Sequence, residues 1–429
     1  MMGPHDMEPH INGRRYMVVL GEVGVMQFGI FYEHQLPRPW DETDEQRLYE
    51  EALEQIELAD ELGIDYAWEV EHHFLEEYSH SSAPEVFLAA AAQRTEEIRL
   101  GHGIKLMPPE YNHPARVAEQ VATLDLVSDG RVEFGTGESG SQVELGGFGI
   151  PVEEKYDMWH EATREVTEMM VGEPYPGYDG EHFVMEPRNV IPKPVQKPHP
   201  PLWMACSTRE MIEEAARQGI GALCFAFTDE NEAEEWVDTY YETFKRECEP
   251  IGHAVNPNIA MVTGFSCHED HDVAVERGAE GFAFFQYGLA HYYAMGGHEP
   301  GKTDLWAQFQ QAGGAEAFSD QVVDSAIGTP EELREHFRGF ADAGVDQVIL
   351  VQQGGNNRHE HICESLELFA EEVMPEFHAD EEERLARKCE DLEPYIEEAM
   401  ARRDDPRTVD ESELPRVIPY DRDISDFTD

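Results

Sequence analysis

Gln27-Phe28-Gly29-Ile30-Phe31-Tyr32, the amphipathic run from Asp44 to Leu62 closed by Gly63, and Asp65-Tyr66-Ala67-Trp68 form the stretch that decides the fold. The two short apolar runs have the length and composition of buried strands, and the long run between them has helical spacing and a glycine stop. Strand, helix and strand in this order define a βα unit, whose parallel strands need a crossover helix.

The alternation repeats outward. Pro84–Thr95 is expected to be a helix, Ile98–Ile104 the third strand, and Pro114–Val127 a helix that stops at Ser128-Asp129-Gly130. Val132–Gly135 follows as the fourth strand, with a helix from about Val152 to Val171. Gly172 to Pro201 is an insertion that cannot be continuous helix, because Pro187, Pro192, Pro194, Pro198, Pro200 and Pro201 each break the ladder. Leu202–Cys206 is the fifth strand and Thr208–Gln218 its helix; Ala222–Phe227 and Ile259–Phe265 supply two more strands. Gln286–Phe318, rich in aromatics and glycine, is too long for a plain connection, and such segments usually carry function. Gly328-Thr329-Pro330 opens another helix, Gln347–Val351 is the eighth strand, and a helix to about Val373 completes the series. Eight βα units predict an α/β protein, a closed (β/α)8 TIM barrel over residues 26–378 with insertions at its C-terminal face. Residues 1–25 read as an N-terminal extension and 379–429 as an acidic C-terminal tail, with a helix to about Ala401.

Charge bounds the function. The chain carries 90 acidic against 31 basic residues, a formal net charge of -59. Only seven of the basic residues are lysines: Lys105, Lys155, Lys193, Lys197, Lys245, Lys302 and Lys388. Nucleic acid and anionic membranes both require a basic surface, so neither is expected as a partner. The carboxylates recur on nearly every expected helix, the pattern of a whole-surface halophilic adaptation rather than of one acidic binding face. Their mutual repulsion is screened in concentrated salt, where the Debye length falls to about 3 Å at 1 M. The melting temperature is therefore expected to rise steeply between low and molar KCl. A melting temperature constant over that range would defeat the halophilic reading.

Cys206, Cys224, Cys248, Cys267, Cys363 and Cys389 are widely spaced without a Cys-x-x-Cys pair, which suits a reducing cytoplasm and argues against a zinc cluster. No apolar run reaches transmembrane length, and no secretory cleavage site follows the mildly apolar Tyr16–Met26.

The residues after the second strand, Glu71-His72-His73-Phe74, fall at the face where barrel active sites lie. Adjacent histidines lack the spacing of a metal pair and have no evident third ligand, so no metal is expected. The whole segment Ile64-Asp65-Tyr66-Ala67-Trp68-Glu69-Val70-Glu71-His72-His73-Phe74 resembles the bacterial-luciferase-like flavin monooxygenases. Further matches follow in order: Ile98-Arg99-Leu100-Gly101 with Leu106-Met107-Pro108, His113-Pro114 with Ala118-Glu119, Leu124-Asp125 with Ser128-Asp129-Gly130-Arg131, and Gly328-Thr329-Pro330-Glu331.

The resemblance implies a catalytic histidine at His72, with His73 and Phe31 beside the cofactor. It implies reduced FMN as cofactor, supplied by a separate flavin reductase and used with oxygen on a small organic substrate. A homo-oligomer is expected as well. Gly103 and Ile104, in Gly101-His102-Gly103-Ile104, match the place where the family carries a non-proline cis peptide against the flavin ring. Trp306, in Asp304-Leu305-Trp306, falls where a tryptophan lies near the flavin. Glu138 stands where a phosphate-binding arginine is found in luciferase, so Ser139, Ser141 or the group Ser207, Thr208 and Arg209 must take over the phosphate. Ser207 and Thr208 also suit ordinary helix capping. Two other readings follow: an F420-dependent hydride-transfer oxidoreductase, and a non-catalytic flavin-binding subunit.

Overall fold

The computed structural model describes residues 10–11, 14–15, 26–225, 230–318, 325–379, 381–410, 412, 414 and 415. Eight parallel strands make the barrel wall: β1 Gln27–Tyr32, β2 Tyr66–Glu69, β3 Arg99–His102, β4 Val132–Gly137, β5 Leu202–Cys206, β6 Gly221–Cys224, β7 Ile259–Cys267 and β8 Gln347–Val351. Each pairs in parallel with the next. The ring closes where Gln347 of β8 meets Gln27 of β1. The expected (β/α)8 barrel is thus the fold.

Alternation along β1 shows how the sequence builds two layers. Phe28, Ile30 and Tyr32 turn outward to the helix layer, and Phe31 turns inward. The barrel interior is filled by Phe31, Tyr66, Trp68, Trp203, Leu223, Val262 and Ile349. Trp68 spans the lumen, and Gly101 makes room for it. A Cβ at Gly101 would stand 2.2 Å from the indole. The indole N–H donates to Gln347 Oε1 at 3.1 Å, so this buried donor is satisfied.

The helices are α1 Asp44–Leu62, α2 Pro84–Ala92, α3 Pro114–Val127, α4 Gln142–Phe148, α5 Lys155–Val171, α6 Arg209–Arg217, α7 Glu230–Glu247, α8 His271–Ala290, α9 Leu305–Gln311, α10 Pro330–Ala343, α11 His359–Glu372, α12 Met374–His378 and α13 Glu381–Arg402. Gly63 ends α1 in the left-handed region at φ 79°, as its position predicts. The expected third strand is interrupted at Gly103–Ile104, after which Lys105–Leu106 pairs with the end of β4. Residues 226–227, the end of the expected sixth strand, lie outside the described residues, as does most of the expected extension 1–25. In the insertion, Tyr178–Asp179 and Val184–Met185 form a small antiparallel pair.

The segment 286–318 has structure of its own. α8 runs through Gln286 to Ala290 and into a π turn at His291–Met295, and α9 follows. Glu77 pins α9 from below: its carboxylate accepts from the backbone N–H groups of Leu305 at 2.6 Å and Trp306 at 3.0 Å. At the base of the barrel α13 buries Leu392, Ile396, Ala399 and Met400 in the main core. Beyond it Arg403 and Arg407 reach Glu168 and Glu165, two carboxylates of α5 that are almost fully buried.

Candidate active site

A cavity of about 550 Å³ opens at the C-terminal ends of the strands. Glu33 enters it directly after β1, Val70 and His72 after β2, Gly103 and Ile104 after β3. Gly137 to Gly140 come from the end of β4, Met204 to Ser207 from β5 and Phe225 from just beyond β6. Gln286, Leu289, Ala290 and Tyr293 of α8 and its π turn form the roof. Gly137 lets Ile104 lie flat against β4, since a Cβ there would meet the Ile104 side chain at 2.4 Å.

His72 is clamped between two carboxylates. Its Nδ1 donates to Glu144 Oε1 at 3.0 Å, and its Nε2 faces Glu33 Oε2 at 3.6 Å. The Glu144 carboxylate also accepts from His73 N at 2.8 Å and Ser139 Oγ at 2.6 Å. Burial opposes a charge on His72, but Glu144 and then Glu33 outweigh it and raise the imidazole to about 9. Burial pushes Glu33 up to about 7, against the opposing pull of His72 and a hydrogen bond from Tyr78. The imidazole therefore carries its proton at neutral pH, facing the cavity.

Of the residues expected in the site, the structure brings His72, Gly103, Ile104, Ser139 and Ser207 together around this cavity. Phe31 lies one layer behind, where a Cβ on Gly103 would touch its ring at 3.4 Å. His73 turns away, with its Nε2 3.2 Å from Glu71 and its ring stacked on Tyr111. Glu71 is held down to about 2: burial opposes this, but His73, Lys105, Asn112 and the Leu106 N–H outweigh it. Trp306 packs on Phe284 and Phe309 instead of lining the cavity. Thr208 caps α6 by accepting from Met211 N, an ordinary helix start. Arg209 points outward, 54% exposed, and pairs with Glu235 at 3.5 Å. The expected non-proline cis peptide near Gly103 is absent; among the described residues every cis bond precedes a proline.

Glu138 does line the cavity, and it is paired. Lys155 Nζ lies 2.5 Å from its Oε1 and donates to Ser139 O at 2.8 Å. Glu33, Tyr78, Glu144 and Lys155 were missed by sequence reasoning. Glu33 was findable, because it directly follows the first strand. Glu144 was not, because it reaches His72 from a short helix 72 residues away.

The ring of parallel strands and the histidine-bearing cavity at their C-terminal ends define a (β/α)8 barrel of the kind that houses enzymes. Residues 26–347 match the luciferase-like monooxygenases, and the chain belongs to that family. It is 24% identical over 373 residues to the oxygenase component of the flavin-dependent trigonelline monooxygenase of Acinetobacter baylyi, covering 82% of this chain and 96% of that protein. With two further curated relatives the match spans only about half of their length. The crystal structure of monooxygenase RslO1 from Streptomyces bottropensis superimposes with a TM-score of 0.68 at 27% identity, covering 82% of this chain and 100% of that one. The coenzyme F420 dependent tetrahydromethanopterin reductase from Methanopyrus kandleri shares the fold, with a TM-score of 0.60 at 22% identity over 83% of this chain and 100% of that one. Among the described residues, no helix is long and apolar enough to cross a membrane.

Proposed function

We propose that the chain is a flavin-dependent monooxygenase that takes reduced FMN from a separate reductase and oxidises a small organic substrate with oxygen. The observation that carries this reading is the clamped His72 in the wall of the barrel-mouth cavity. The residues fit the group. A volume of about 550 Å³ lies within the range of cofactor and ligand sites. Val70, Ile104, Leu106, Met204, Phe225 and Leu289 supply the apolar walls that a flat ring needs. Ser207 and Lys155 line the cavity and would hold the phosphate, Lys155 in place of the outward-turned Arg209. Reduced flavin, when bound, supplies the electrons for oxygen activation. The chain's own work is to exclude water beneath Tyr293 and α8 and to hold a proton on His72.

Glu138 favours a second reading. Its pairing partly neutralises Lys155, the one lysine among the described residues that line the cavity. This weakens a grip on the dianionic phosphate of FMN and leaves F420, whose phosphate is a singly charged diester, as the alternative. Anaerobic titration of the protein with reduced FMN and with reduced F420 separates the two, and tighter binding of F420 would overturn the first. Under the FMN reading, Lys155→Ala should weaken FMN by roughly ten- to a hundred-fold, the loss of one charged hydrogen bond. Riboflavin, which has no phosphate, should bind both proteins alike. An equal loss for the two flavins would place the phosphate elsewhere.

A further inference from the structure

We infer that Glu33 is a second proton-holding residue of this cavity, sharing a proton with His72 and passing it to an anionic oxygen or nitrogen on the bound molecule. The inference rests on the reading of this cavity as the active site.

The geometry is asymmetric about the imidazole. On the Nδ1 side, both oxygens of Glu144 are engaged, Oε1 by His72 and His73 N and Oε2 by Ser139 Oγ. It orients the ring and has no oxygen to spare. On the Nε2 side, Glu33 accepts one hydrogen bond on Oε1, from Tyr78 O–H at 3.2 Å. Its Oε2 is buried, has no hydrogen-bond partner, and lies 3.6 Å from His72 Nε2. A buried carboxylate oxygen without a donor is costly as an anion, and a proton on it removes the cost. Glu33 lines the cavity, so that proton faces whatever is bound.

The charged and titratable groups around the pair are Tyr78, Glu144, Glu69 and Glu71, with Tyr293 across the cavity. With Glu33 raised to about 7 and His72 to about 9, Glu33 is the member that exchanges its proton near neutrality. In the transfer, the Oε2–H bond breaks and the proton moves to the bound anion, leaving the Glu33 carboxylate. Once the 3.6 Å gap between Nε2 and Oε2 closes to hydrogen-bond distance, the Nε2–H bond of His72 breaks and Oε2–H re-forms. His72, 13% exposed, recovers its proton from solvent.

The test is a pH titration of the His72 ring by carbon NMR in histidine-labelled, full-length protein, in the wild type and in Glu33→Gln. In the wild type the His72 signal should show two inflections, one belonging to Glu33. In Glu33→Gln one inflection should remain, with its midpoint lower by about one unit or more, because a carboxylate beside the ring has gone. A single, unshifted His72 titration in both proteins would overturn the inference. Should Glu33→Gln fail to fold, Tyr78→Phe serves instead: it removes the donor to Oε1 and should raise the lower inflection, and no movement counts against the pair. A second measurement follows the oxygen-dependent reoxidation of protein-bound reduced FMN between pH 6 and 10. The wild-type rate should have a limb near 7 that Glu33→Gln lacks, and retention of that limb also overturns the inference. If wild-type protein binds no FMN, the flavin reading fails and the NMR titration alone decides on the pair.

Discussion

Replacing His72 with alanine is expected to lower oxygen-dependent turnover of reduced flavin by roughly 10²-fold or more, with the fold and the flavin affinity largely intact. An imidazole that moves or orients a proton acts in the transition state, and its loss barely touches ground-state binding. The pH dependence should carry its signature. Held at about 9, His72 loses its proton as pH rises through that value, and turnover should fall there. Stability follows the same sign: the contribution of the His72–Glu144 ion pair is complete below the ordinary histidine value of 6.5 and is lost as pH rises through about 9. His73→Ala is the internal control. Its ring packs on Tyr111 and Phe148 away from the cavity, so its loss should reduce stability and leave turnover within a few-fold. Silence of both variants would leave the enzyme reading resting on fold analogy alone.

The largest effect on stability is expected at the barrel base. Arg403→Ala should cost about 3–5 kcal/mol, the range for removing one partner of a buried ion pair. The lower end applies, because Glu168 keeps His253 at 3.0 Å and the Arg407 N–H at 3.2 Å. Denaturant unfolding at molar KCl measures it, since that salt screens surface charge and spares this buried pair. Glu168 is held down to about 2: burial opposes this, but His253, the Arg407 N–H and Arg403 outweigh it. Its stabilisation is therefore complete above about 4.5 and lost as pH falls toward 2. Arg403→Ala should move the acid transition upward. A variant as stable as the wild type would show the Arg403–Glu168 pair to be passive.

The barrel was legible because its strands are short apolar runs separated by helices with clear stops, as at Gly63 and Ser128-Asp129-Gly130. The Ile64–Phe74 motif placed His72 at the strand end, and strand geometry then carried it to the cavity. Rotation about a helix axis was not legible: Arg209 opens α6, and one step of its turn sends the guanidinium outward to Glu235. Packing inside a segment was equally hidden, so Trp306 went to Phe284 and Phe309. The carboxylates around His72 come from positions 39 and 72 residues away in the chain, and no local pattern joins them. In residues 381–402 the acidic composition masks a helical stripe of Leu392, Ile396, Ala399 and Met400, which is where that segment meets the core.

The ion pairs that Arg403 and Arg407, in the strap beyond α13, make with α5 also bear on the order of assembly during synthesis. α5 leaves the ribosome with Glu165 and Glu168 already on the face it must bury, but Arg403 and Arg407 are more than two hundred residues behind. Until those arginines emerge, docking α5 at the base would trap two carboxylates without their guanidinium partners. The nascent barrel therefore has reason to stay ajar at one seam while its remaining strands are made. The latch across that seam is supplied by residues beyond α13.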